Sequence, residues 1–171
     1  MKPKLEPPDT HYLSAAMGWI ELGNPKEALL EFNHVSEKSK KHPAALEIQW
    51  LIYEKTKDWV EAEKVARELV RIDPQNATGW IHLAYSTRRV PGKGISAAWE
   101  ILITALDKFP EEPVIPYNLA CYAAQLARLE EAWEWLAQAM RIGVKDNIIK
   151  MALNDDDLKE LWGRIRQLRL D

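Results

Sequence analysis

An all-α fold, an α-solenoid of four helix–turn–helix units closed by a C-terminal capping helix, is what this 171-residue sequence predicts. Three observations predict it. Small residues recur at Ala28, Ala62, Ala98 and Ala132, separated by 34, 36 and 34 residues. That period is the length of one stacked helical hairpin. Each of these alanines is followed by apolar residues at i+4 and i+7: Phe32 and Val35, Ala66 and Leu69, Leu102 and Ala105, Leu136 and Ala139. Such spacing lays one apolar stripe along a helix. Finally, the tail departs from the repeat and carries its own stripe, Leu158, Leu161, Trp162, Ile165 and Leu168. A helical array needs such a cover over its open end.

In chain order, residues 1–8 read as a loose, Pro-rich lead-in that stops at Pro7 and Pro8. Residues 9–143 hold the four hairpins. The first helix of unit one shows Tyr12, Ala15, Ala16 and Trp19 at i, i+3, i+4 and i+7, and Gly23 marks its turn. Unit two repeats the slots with Leu46, Trp50 and Tyr53, Gln49 being the polar exception, and turns at Lys57. Unit three uses Trp80, Leu83, Ala84 and Thr87, then a turn two residues longer, RRVPGKG at 88–94, which is expected to protrude. Unit four opens with Pro116, tolerated in a first helical turn, and turns at Ala127. Residues 111–140 are the clearest hairpin, with Leu119, Ala120 and Ala123 facing Ala132, Leu136 and Ala139. Residues 144–171 form the capping region. A short helix is expected over residues 147–153, and Asp155, Asp156 and Asp157 then sit where a helix dipole favours anions. Lys159, Glu160, Arg164, Arg166 and Arg169 face away from the tail stripe.

With these residues in place, the chain resembles the tetratricopeptide repeat family over roughly residues 9–143. The matching positions are Ala16, Gly23, Ala28, Phe32 and a displaced Pro43 in unit one, and Trp50, Tyr53, Ala62, Leu69 and Pro74 in unit two. Unit three contributes Trp80, Leu83, Ala84, Ala98, Ala105 and Pro110. The usual mid-turn glycine is replaced by Lys57 and Ala127 in units two and four. The resemblance implies a right-handed superhelix whose first helices line a concave groove.

Composition narrows the function classes. A formal net charge of −3 argues against a broad basic surface for nucleic acid. No segment approaches the ~20 uninterrupted apolar residues of a membrane span. The first ten residues lack the apolar run of a signal peptide. A single cysteine, Cys121, excludes an intramolecular disulfide and fits a reducing, cytoplasmic setting. Most of the eight tryptophans lie in helical patterns as core or half-buried spacers.

No catalytic constellation is legible. No two of His11, His34, His42 and His82 lie at i, i+3 or i, i+4 spacing with a carboxylate partner, and no Cys/His cluster suggests zinc. The aspartates at 155–157 lack the alternating spacing of a calcium loop. The segment at 92–94, Gly-Lys-Gly, lacks the spacing of a phosphate loop. Cys121 reads as a small packing residue. We therefore expect no enzyme, no cofactor and no metal.

The family resemblance instead implies a partner in the groove, another protein presenting an extended peptide or short helix. The groove-facing slots hold Leu13, Met17 and Ile20 in unit one, and Ile48, Leu51, Glu54 and Lys55 in unit two. Ile81, His82, Tyr85, Arg88 and Arg89 follow in unit three, then Tyr117, Asn118, Cys121 and Gln125 in unit four. Tyr85, Arg88, Arg89, Tyr117 and Asn118 are expected to make the directional contacts, the arginines favouring an acidic group. The competing expectation is that both tyrosines pack on neighbouring helices. Ser14, Met17 and Ile48 occupy slots where chaperone-tail binders of the family carry polar or basic residues, so that ligand is not expected. Two further readings stand beside the scaffold. One is self-association through an exposed patch of Trp59, Trp99, Trp133 or Trp135, and the other is a small chaperone for a secreted protein.

Overall fold

The turns fall where the apolar period breaks. The computed structural model describes residues 4–168. α1 (Asp9–Glu21) and α2 (Pro25–Asn33) are joined through Gly23, with φ 75°. α3 (Pro43–Thr56) and α4 (Trp59–Ile72) are joined through Lys57 at φ 58°. α5 (Ala77–Thr87) and α6 (Gly94–Lys108) follow in the third pair, and α7 (Val114–Gln125) and α8 (Leu129–Ile142) in the fourth, with Ala127 at φ 59°. Two of these left-handed turn positions are thus filled by residues that carry a Cβ. Helix starts are closed by short polar side chains. Asn24 accepts from the Glu27 amide at 3.4 Å, Asp58 from Glu61 at 3.2 Å and Asn76 from Thr78 at 3.0 Å. Among the described residues there is no strand, and no helix is long and apolar enough to cross a membrane.

All twelve residues of the four second-helix stripes are no more than 2 % exposed. Small residues at these positions let helix backbones approach closely, so the period seen in the sequence is a packing period. Val35 is the one that lies beyond its helix. α2 ends at Asn33, and Val35 is buried from the turn that follows.

The chain divides into two compact units, Met1–Ala98 and Trp99–Asp171. In the first, α1 packs on α2 and α3, α3 on α4, and α4 on α5. Leu13, Ala16, Ile20, Phe32, Ile48 and Ile52 are among the residues of its core. The lead-in takes part as well, because Leu5 packs against that core; residues 1–3 lie outside the described residues.

The long turn expected to protrude is exposed at Pro91, Gly92 and Lys93, yet it is tied down. The Lys93 ammonium donates to both oxygens of Glu63, at 2.8 and 2.5 Å, and Arg67 donates to the same carboxylate at 2.6 Å. Thr87 adds a hydroxyl at 3.2 Å. Burial alone would raise the pKa of Glu63, but the hydrogen bonds from Lys93 and Arg67 outweigh it and hold the carboxyl below its ordinary range.

In the second unit α7 packs on α8, and α8 on α9 (Lys145–Ala152). A 3₁₀ segment, Asp156–Leu161, lies against α7 and α8 and leads into α10 (Trp162–Gln167). The tail stripe is therefore carried by two short elements instead of one helix. Leu158, Leu161 and Ile165 are still buried. The division has a local cause. The Asp155 carboxylate accepts from the Asp157 amide at 3.0 Å and starts a tight 3₁₀ turn. The Trp162 indole donates to the Ala152 carbonyl at 2.8 Å, folding the tail back on α9. Arg169 lies outside the described residues.

Candidate functional site

The groove-facing slots separate into three environments. The first is an open groove between α1 and α3. Leu13, Met17 and Ile48 form its apolar floor together with Leu5, and Thr10, Ser14 and Glu21 stand at its polar edge. Its volume is about 520 Å³. Leu13 and Ile48 are each under a tenth exposed, which fixes them as floor, and Met17 is half-buried with a flexible thioether. Ile20, three residues beyond Met17, belongs to the core. Leu51 packs against the same core, and Glu54 pairs with Lys55 at 3.1 Å.

The second environment is an aromatic cluster between α3, α4 and α5. His82 stacks on Trp50 with ring centroids 3.6 Å apart and an interplanar angle of 8°. The Trp50 indole donates to Ser86 Oγ at 2.9 Å, and Ser86 in turn donates to the His82 carbonyl at 2.8 Å. Tyr85 sits edge-on to both Trp50 and Trp59, at 5.9 Å from each. The Arg89 guanidinium lies 3.6 Å from the Tyr85 ring and donates to the Tyr85 carbonyl at 2.9 Å. Burial lowers the pKa of His82 to about 4, so the imidazole is neutral near pH 7. Packing on neighbouring helices thus accounts for Tyr85, and Arg89 is held by a ring and a carbonyl. Ile81 on α5 and Arg88 at its C-terminal cap are half-buried.

The third environment corrects the reading of α7. Tyr117 is 5 % exposed, and its hydroxyl donates to Asp155 Oδ2 at 3.0 Å. Cys121, also buried, donates to the same oxygen at 3.5 Å. The tail covers this part of the helix, so neither side chain is an open anchor. Burial, with Cys121 and Asp155 adding to it, pushes the Tyr117 pKa well above its ordinary value of 10. Asn118 is half-buried and donates to the Val114 carbonyl of its own helix at 2.9 Å, and Gln125 is exposed at the end of α7.

Comparison with known proteins bears on the fold. The chain is similar to the solved structure titled "MamA RS-1 ArsTM double mutant", with a TM-score of 0.66 and 18% identity, over 79% of this chain and 75% of that one. It is similar to MamA 41-end from Desulfovibrio magneticus RS-1 as well, with a TM-score of 0.66 and 19% identity, over 77% and 73% of the two chains. The fold is that of a TPR-like helical-repeat solenoid. No protein-family model and no curated protein sequence matches the chain.

One cluster escaped sequence reading. Cys121, Asp155 and Asp157 bring three ligand-type atoms within 4.8 Å of one another. Both oxygens of Asp155 are already engaged, Oδ2 by Tyr117 and Cys121 and Oδ1 by the Asp157 amide. The group works as a hydrogen-bonded latch that holds the tail on α7. Spacing could not reveal it, because the partners are 34 and 38 residues apart.

Proposed function

We propose that this chain is a non-catalytic interaction scaffold that holds a short segment of another protein in the groove between α1 and α3. The observation that carries the reading is the apolar floor of Leu13, Met17 and Ile48 beneath an opening of about 520 Å³. Sites that take a ligand commonly span about 300–1,000 Å³. The partner is an extended peptide or a single helical turn that places two apolar side chains on Met17 and Ile48. Thr10 and Ser14 would meet its backbone. The TPR-like fold supports this reading, since such hairpin arrays present first helices to partners. An acidic group on the partner rests only on the formal charge of Arg88 and Arg89. Because Arg89 is already stacked and hydrogen-bonded, apolar complementarity is the stronger support.

A displayed peptide library, selected on the wild-type protein, tests the proposal. The selected peptides should carry a pair of apolar residues. Met17→Glu should weaken them by at least about tenfold, because a carboxylate on the floor loses its hydration. Ser14→Trp, at an exposed edge position, should block the opening with little effect on melting. Peptides that bind both variants as tightly as wild type lie elsewhere, and the groove assignment fails.

A further inference from the structure

The outer face of α8 carries a charge pattern that is complementary to itself when reversed, acidic toward one end and basic toward the other. Ala132, Leu136 and Ala139 are the buried side of this helix. On a helix of about 100° per residue, the opposite side is centred on Glu134, Ala137 and Arg141. Glu134 and Arg141 are exposed, and Ala137 and Gln138 are half-buried between them. Trp133 and Trp135 flank this stripe, and the depression they enclose has a volume of about 400 Å³. Both indoles are held in place from within the same unit. The Arg164 guanidinium lies 4.0 Å over the Trp133 ring and is anchored by Glu130 at 2.9 Å. Trp99 meets Trp135 edge-on at 6.3 Å. Rigid walls lower the entropy lost when a partner docks.

We infer that this face binds a second copy of the same chain, α8 against α8 in antiparallel order about a two-fold axis between Ala137 and Gln138. Two antiparallel helices related by that axis bring position i opposite position 275 − i. Glu134 of one copy then faces Arg141 of the other, and Arg141 faces Glu134. The two pairs lie about 10.5 Å apart along the helix, one on either side of the axis. Ala137 of one copy meets Gln138 of the other in the middle, where a small side chain lets the backbones come close. A two-fold contact must be self-complementary in this way. Shifting the axis by one residue would bring Glu134 opposite Ala139 or Gly143 and lose both charge pairs. The contact is a single helix pair with two tryptophans a side. That puts it at the small end of specific interfaces, below about 1,200 Å², so the association should be concentration-dependent.

The test is sedimentation equilibrium of the full chain over a concentration series reaching several hundred micromolar. The wild type should show a monomer–dimer equilibrium. Glu134→Arg places four arginines along the contact and should weaken dimerisation at least about tenfold, and Arg141→Glu should do the same with four carboxylates. Mixing the two variants restores both opposite-charge pairs, so the mixture should dimerise about as well as wild type although neither component does. Unchanged melting curves establish that both variants are folded, as expected for exposed positions. A wild type that stays monomeric throughout leaves this face to some other occupant and overturns the inference. Dimerisation that survives the single reversals, or a mixture that fails to recover it, overturns the inference as well. None of these outcomes bears on the α1–α3 groove, which is read by peptide binding.

Discussion

Tyr117 owes its buried position to an acceptor 38 residues away, Asp155, at 3.0 Å. A phenol hydroxyl buried without a partner costs about 1–3 kcal/mol. Asp155→Ala strips that acceptor and also uncaps the 3₁₀ segment, so urea denaturation should show a loss at the upper end of this range. Asp155→Asn keeps an acceptor and should cost less. Tyr117→Phe removes the donor, and in a double-mutant cycle it should largely cancel the effect of Asp155→Ala on Tyr117. Additive losses would mean that the two side chains do not stabilise one another. This residue pair marks where reading from spacing stopped. The three aspartates are legible as charges at a helix start, and Asp155 does cap one. Their second role depends on the tail folding back, and no local pattern encodes where a tail returns.

At the scale of elements, the helices and their breaks were legible because burial and period coincide. The same alanines that keep the 34-residue phase are the ones with no exposed surface, and each turn interrupts the 3.6-residue stripe. Even the missing glycines carried information. Lys57 and Ala127 stand at φ 58° and 59°, where an L-residue is disfavoured by about 1–2 kcal/mol. Glycine removes that penalty and returns part of the gain as backbone entropy. Lys57→Gly and Ala127→Gly should therefore each stabilise the protein by about 0.5–1 kcal/mol, and Gly23→Ala should destabilise it by a similar amount. Thermal melts of the three variants check this, and a lower melting temperature for either glycine variant would count against strain at that turn. The faces of the first helices were less legible than their limits. Slot assignment placed His82, Tyr85 and Arg89 toward the groove in unit three. It could not say that this side meets Trp50 and Trp59, because which helix covers a face is decided by hairpins distant in sequence.

Across the whole molecule, the ionisable groups make the two compact units sensitive to opposite ends of the pH scale. In Met1–Ala98, His82 titrates at about 4 instead of its ordinary 6.5 because it is buried against Trp50. Between those values the unfolded chain binds a proton that the folded chain refuses, so stability falls as pH drops from about 6.5 to about 4. Each pH unit in that window costs about 1.4 kcal/mol at most. Below about 4.5 a further loss begins. Glu63, and also Glu68 beside Arg71, are held below the ordinary carboxylate range and lose their stabilising charge as pH falls through their folded values. In Trp99–Asp171 the pKa of Tyr117 is raised. Its unfolded form ionises first, so that contribution is present below pH 10 and is lost as pH rises above it. Amide exchange, corrected for intrinsic rates and followed residue by residue, separates the two. From pH 7 to pH 5, protection should fall by about tenfold in α3, α4 and α5 and change little in α7 and α8. His82→Phe keeps a ring against Trp50 without the proton site, and should abolish the acid-side loss while leaving exchange at pH 7 near that of wild type. If α7 and α8 lose protection on acidification as much as α3 to α5 do, or if His82→Phe leaves the acid response unchanged, the buried imidazole is not its source.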